Sequence, residues 1–122
     1  MALKVPGFLL RRLYVKGSLR ATPDGFALNL SNTLGSGYAR RLLPVAVNGV
    51  QVDLSNCFFE VDGVEHGFAE VTPESPFSLA MNKTSTLVVR GVTLPDGPVT
   101  LRLGFEVQGL GDLSFEITDT AA

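Results

Sequence analysis

Tryptophan is absent from this 122-residue sequence, and cysteine and histidine each occur once. The single thiol, Cys57, excludes an internal disulfide and points toward a reducing cytoplasm, because sandwich-sized secreted domains commonly carry a bridge. No stretch approaches the roughly 20 consecutive apolar residues of a membrane helix. The N-terminus, Met1-Ala2-Leu3-Lys4-Val5-Pro6, lacks a signal-peptide layout: its apolar part is short, broken by Pro6 and followed by Arg11 and Arg12. The expectation is a cytoplasmic protein with no membrane association. An excess of one charge is missing as well. Lys+Arg 10 against Asp+Glu 12 gives a formal net charge of -2, which provides no basic face for nonspecific nucleic-acid binding.

Helix signals are also scarce. Thirteen glycines and seven prolines interrupt the chain every few residues, and no window of about 11 residues sustains a 3.6-residue apolar repeat free of them. No glycine-rich phosphate loop is present, since Gly35-Ser36-Gly37 and Gly109-Leu110-Gly111 sit between strand-like segments with no helix behind them. No serine occupies a nucleophile elbow. Neither a metal nor any other cofactor is implied.

What is present is β-sheet patterning. Apolar residues make up 45% of the chain, enough for one core-rich domain spanning residues 1–122. Val99, Leu101, Leu103, Phe105 and Val107 alternate with polar residues. After Gln108-Gly109-Leu110-Gly111 the pattern resumes with Leu113, Phe115 and Ile117. This predicts a hairpin centred on Leu110, with Arg102 diagonal to Glu116. Asn48-Gly49 and Asp62-Gly63, each flanked by short apolar runs, predict two further tight hairpins. Residues 8–20 read as a long strand or a bent pair, and residues 26–30 alternate after the Pro23-Asp24-Gly25 turn. The whole predicts an all-β chain, a two-sheet antiparallel β-sandwich of about eight or nine short strands, immunoglobulin-like or jelly-roll-like. Residues 70–82, with Pro73 and Pro76, form the one long irregular connection and the best place for a functional loop.

Residues with chemistry are few. A two-residue Asp62-Gly63 turn sets Glu60 opposite Glu65 and Phe59 opposite His66. Two carboxylates facing each other repel unless a metal or a cationic group compensates. His66, however, points to the other face, so the plainer expectation is two solvated glutamates and a half-buried histidine. These three are the weak catalytic candidates. Cys57, in Asn56-Cys57-Phe58-Phe59, reads as a small hydrophobe.

The arginines are more suggestive. Arg11-Arg12 and Arg40-Arg41 come as adjacent pairs, so on a strand one of each pair falls in the apolar phase and must sit at a sheet edge or meet a carboxylate. On the other phase Arg12, Tyr14, Lys16 and Arg20 would form a basic stripe with one aromatic. Arginine and tyrosine are the residues that interface hot spots favour. A partner-binding face bearing Arg12, Tyr14, Lys16, Tyr38, Arg40 and Arg41 is the expectation, against an ordinary solvated sheet face or an anionic-ligand site.

Several segments carry a resemblance: Gly17-Ser18-Leu19-Arg20, Asp24-Gly25-Phe26, Val45-Ala46-Val47-Asn48-Gly49-Val50-Gln51-Val52, Phe58-Phe59-Glu60-Val61-Asp62-Gly63 and Leu94-Pro95-Asp96-Gly97-Pro98. Over roughly residues 17–107 the chain resembles the small (β) subunit of bacterial C-glycoside deglycosidases. The resemblance implies a β-sandwich that pairs with a larger, metal-bearing catalytic subunit, so the expected partner is such a subunit or a second copy of the chain. His66 or Arg41 would be the side chain lent across that interface. Similar short chains also bear the name hydroxymethylglutaryl-CoA reductase. Hydride transfer of that kind needs a nicotinamide site, a coenzyme A site and acid, base and cationic groups, none of which this chain offers on its own. The expected role is therefore non-catalytic, with independent small-molecule binding or a homo-oligomeric enzyme as the alternatives.

Overall fold

Two antiparallel sheets stack in a β-sandwich-like arrangement, and the apolar phases of their strands fill the layer between them. The computed structural model describes residues 6–122. The reading of the N-terminus as lacking a signal peptide rests mostly on residues 1–5, outside that range.

The five-stranded sheet contains β1 (Arg20–Thr22), β2 (Gly25–Ser31), β6 (Cys57–Val61), β7 (Val64–Gly67) and β9 (Thr84–Arg90), in the order β1-β2-β9-β6-β7. The six-stranded sheet contains β3 (Gly37–Leu42), β4 (Ala46–Val47), β5 (Val50–Gln51), β8 (Phe77–Leu79), β10 (Pro98–Val107) and β11 (Gly111–Thr120). Strand β10 is its spine. Along one edge it pairs with β11 over its full length; along the other it pairs with β4 at Leu101 and Arg102, then with β3 from Phe105 onward. Strands β5 and β8 extend β4 and β3 outward.

The core follows from the alternation. Val99, Leu101, Leu103 and Val107 of β10, with Leu113, Phe115 and Ile117 of β11, are buried from one side. Phe26 and Leu28, Cys57 and Phe59, and Leu87 and Val89 are buried from the other. Among the described residues no polar or charged residue is fully buried. The predicted tight turns are present: Asn48 and Gly49 have φ 48° and 85°, and Asp62 and Gly63 have φ 53° and 80°. These are the paired positive values that a two-residue hairpin needs and that Asn-Gly and Asp-Gly supply. Gly25 has a different reason to lack a side chain, since a Cβ there would collide with the carbonyl of Val89 on the neighbouring strand.

Four expectations are corrected. Residues 8–20 form no long strand but a short helix α1 (Gly7–Leu10), a 3-10 turn (Arg11–Leu13) and an isolated bridge from Tyr14 to Leu30. Up to Val15 the segment has no β-branched residue and is rich in leucine and arginine, which lose little rotamer freedom in a helix. Its buried residues, Leu10 and Leu13, are three apart, a helical spacing. Eleven strands are present among the described residues rather than about eight or nine, because β1 and β8, three residues each, are too short to announce themselves. Strand β8 lies inside residues 70–82, so that connection is partly sheet. Finally, the C-terminal hairpin closes with Val107 opposite Gly111, which puts Arg102 directly opposite Glu116 rather than diagonal to it.

Candidate functional site

The β6–β7 hairpin has the predicted register, Glu60 opposite Glu65 and Phe59 opposite His66. The cation that relieves the two glutamates is Arg90. Its guanidinium lies 4.6 Å above the Phe58 ring and grips Glu65 with two hydrogen bonds of 2.7 and 3.1 Å, while its Nε stands 3.5 Å from Asp24. That grip raises the arginine's already high pKa further. His66 is on the opposite face. It stacks on Phe59 at 5.2 Å and 25°, and its Nδ1 lies 3.7 Å from Glu70 Oε1. Glu60, Glu65 and His66 therefore do not converge, and no three metal-ligating side chains gather anywhere among the described residues. Cys57 is fully buried and its Sγ turns to the Asp53 carbonyl at 3.6 Å. Burial raises its pKa, which keeps it a neutral, unreactive thiol.

The six residues expected on one partner-binding face divide into two groups on either side of β10. Arg12, Tyr14 and Lys16 lie in the N-terminal segment, which packs along β11; Arg11 Nε donates to the Glu116 carbonyl there. Tyr14 is not a displayed aromatic. Its hydroxyl donates to Asp119 Oδ2 at 2.7 Å and accepts from the Leu19 amide, while the Gly17 amide also donates to Asp119. Burial raises the tyrosine's pKa and the Asp119 hydrogen bond adds to that; the same bond, with the Thr120 and Gly17 amides, lowers that of Asp119.

Across β10, Tyr38, Arg40 and Arg41 stand on the outer face of the six-stranded sheet. Strand alternation should have turned one of the two arginines inward. A β-bulge prevents it: Glu106 faces Arg41 and Val107 faces Ala39, so Arg40 is the extra residue and both side chains stay exposed. Both reach Glu106, Arg41 at 3.0 Å and Arg40 at 3.6 Å, the carboxylate pairing that the sequence called for. Further along β10, on the same outer face and opposite Glu116, is Arg102, exposed and in no ion pair among the described residues. Tyr38 is 53% exposed.

A second feature has no counterpart in the sequence-level expectations. Between the sheets, where α1 packs, lies a half-open cavity of about 430 Å³. Leu9 and Leu13 of the N-terminal segment meet Phe59 and Leu87 of one sheet and Phe77 and Phe105 of the other. Among the described residues Lys83 is the one charged group lining it. A closed, dry void costs about 24 cal/mol per Å³. The 430 Å³ found here is open at one side and escapes that penalty, but it leaves an apolar lining facing water. Apolar walls do not hold ordered water well either. A space of this size and lining has the character of a binding cavity.

The family model for "Hydroxymethylglutaryl-CoA reductase, N-terminal domain" matches residues 9–122. The chain belongs to that family. No curated protein matches it.

In this member of the hydroxymethylglutaryl-CoA reductase N-terminal domain family, the matched stretch takes in both sheets, the cavity and all seven arginines. Sequence reasoning missed Asp119, Glu106 and Arg90 as the partners of the residues it singled out, because all three pairings join segments far apart in the chain. It missed the cavity too. Its walls mix helix, strand and turn residues, so no single periodicity marks them. Among the described residues no helix is long and apolar enough to cross a membrane.

Proposed function

We propose that this chain is a non-catalytic interaction module that serves a larger catalytic protein, docking through the outer face of its six-stranded sheet. The observation that carries this reading is the presence on that face of Tyr38 and three exposed arginines: Arg40 and Arg41, which share the carboxylate of Glu106, and Arg102 further along β10, which has no ion pair among the described residues. Three guanidiniums and a half-exposed phenol on rigid strands match the composition of interface hot spots. The family description supports a module reading, since it names one domain of an enzyme. The resemblance to the small subunit of C-glycoside deglycosidases supports a partner of the metal-bearing, catalytic kind.

The reductase name brings a coenzyme A ester and a nicotinamide to mind, and the residues here do not fit them. The cavity offers one ammonium where phosphates need several donors. The two Gly-x-Gly turns lead into strands β3 and β11 rather than helices. Several of the described cations are committed to surface pairs instead: Arg90 with Glu65, Lys83 with Asp62, Arg40 and Arg41 with Glu106.

The test is solution mass by light scattering, for the chain alone and after co-expression with the product of the adjacent gene. A stable hetero-complex is expected, weakened at least tenfold by Tyr38→Ala combined with Arg102→Ala, each truncation costing about 1–2 kcal/mol at a hot spot. A chain that stays monomeric beside that product, or a complex indifferent to the double substitution, sinks the proposal. A concentration-dependent homodimer disrupted by the same pair would assign the face to self-association instead.

A further inference from the structure

We infer that the cavity between the sheets is a binding site for a straight-chain carboxylate, with the alkyl tail between the sheets and the carboxylate at Lys83. This goes beyond the docking role and uses a different surface. Three features of the site select this ligand class.

The first is size. A methylene occupies about as much room as a water molecule, roughly 30 Å³. At ordinary packing density, the 430 Å³ cavity takes a tail on the order of ten carbons. The second is lining. The interior presents leucine, phenylalanine and valine side chains, which offer no directional hydrogen bonds and so suit an alkyl chain better than a sugar or a nucleotide. Polar groups are confined to a few lining positions: Ser36, Ser78, Ser85, Asn32 and Lys83. The Asn32 amide is already committed, donating to the carbonyls of Gly35, Leu79 and Ala80, which pins this part of the wall.

The third is charge. Lys83 is the lone charged residue of the described lining, and no carboxylate lines the cavity there. Its Nζ is paired with Asp62 at 2.7 Å, but Asp62 is 72% exposed and belongs to a hairpin turn. Such a surface pair is weak, so a ligand carboxylate whose tail is already held can displace it. The requirement is therefore an amphiphile with one negative end and one slender apolar end.

The probe is sodium decanoate, kept below micelle formation and titrated into the full chain, with 1-decanol as the uncharged control. Binding is followed by calorimetry and by the methyl NMR signals of the leucines. One saturable site is expected, with shifts at Leu9, Leu13 and Leu79. Lys83→Met should weaken decanoate about two- to fivefold, the worth of an exposed ion pair, and leave decanol unchanged. Leu79→Trp should abolish both by occupying the tail space. The methyl shifts on the unmodified chain keep the test decisive if that variant fails to fold. Absence of saturable binding, or shifts confined to the outer sheet faces, would overturn the site. Equal affinity for decanol and decanoate, insensitive to Lys83→Met, would overturn the carboxylate assignment.

Discussion

Tyr14 and Asp119 tie the N-terminal segment to the last strand through one short hydrogen bond, and the bond shifts both groups in directions that stability must follow. Asp119 is held below its ordinary value of 3.8, so its contribution is fully present above that value and is lost as the pH falls through the lower, folded-state value. Tyr14 is held above 10.0, which means its neutral form is favoured by folding; that contribution fades as the pH rises past 10.0 and the unfolded chain ionises first. Tyr14→Phe removes the shared bond. It should cost about 1 kcal/mol near neutral pH, below the usual range for a bond to a charged group because the carboxylate meets solvent. The difference from the parent chain should shrink below pH 4. Denaturant melts at pH 3 and pH 7 check this, and an equal difference at both pH values would show that the bond carries none of the effect.

At the scale of elements, the β6–β7 hairpin shows a local rule satisfied by a distant residue. Two glutamates face each other across the strands, and the conflict is settled by Arg90 from β9, laid over Phe58 to grip Glu65. Arg90→Leu should lower the midpoint of thermal unfolding by a few degrees at low salt, with most of the loss recovered in molar salt or on adding Glu65→Gln. A deficit that persists in both conditions would attribute the effect to lost packing on Phe58 instead. The same hairpin shows what was legible beforehand. Asp62-Gly63 fixes the turn, the turn fixes the register, and the register alone separates His66 from the glutamates. The C-terminal hairpin was legible as a hairpin but slipped in register, because a turn holding both Gly109 and Gly111 can close in more than one way. The N-terminal segment was misread because four helical residues and a 3-10 turn are shorter than any window that reveals a 3.6-residue period. The arginine pair at residues 40 and 41 announced a carboxylate partner, but not the bulge that lets one glutamate serve both.

At the scale of the whole molecule, the inner faces of the two sheets leave a space between them at the end where α1 and its leucines lie. Packing tight enough to remove that space was open to the sequence. Ser85 lies on the inner phase of β9, beside Leu87 and Val89, and lines the cavity with a small polar side chain at a position where a β-branched residue suits the strand. Ser85→Ile should therefore stabilise the empty chain by about 1 kcal/mol, through added apolar burial and better strand propensity. If the cavity is a binding site, the same substitution should weaken decanoate by encroaching on its tail. The two effects should move in opposite directions in one variant, measured by thermal melts without ligand and by titration with it. Stabilisation with unchanged decanoate binding would mean the tail lies elsewhere. Destabilisation would mean that this end of the sandwich is already packed as tightly as its side chains allow, and the cavity reading would go with it.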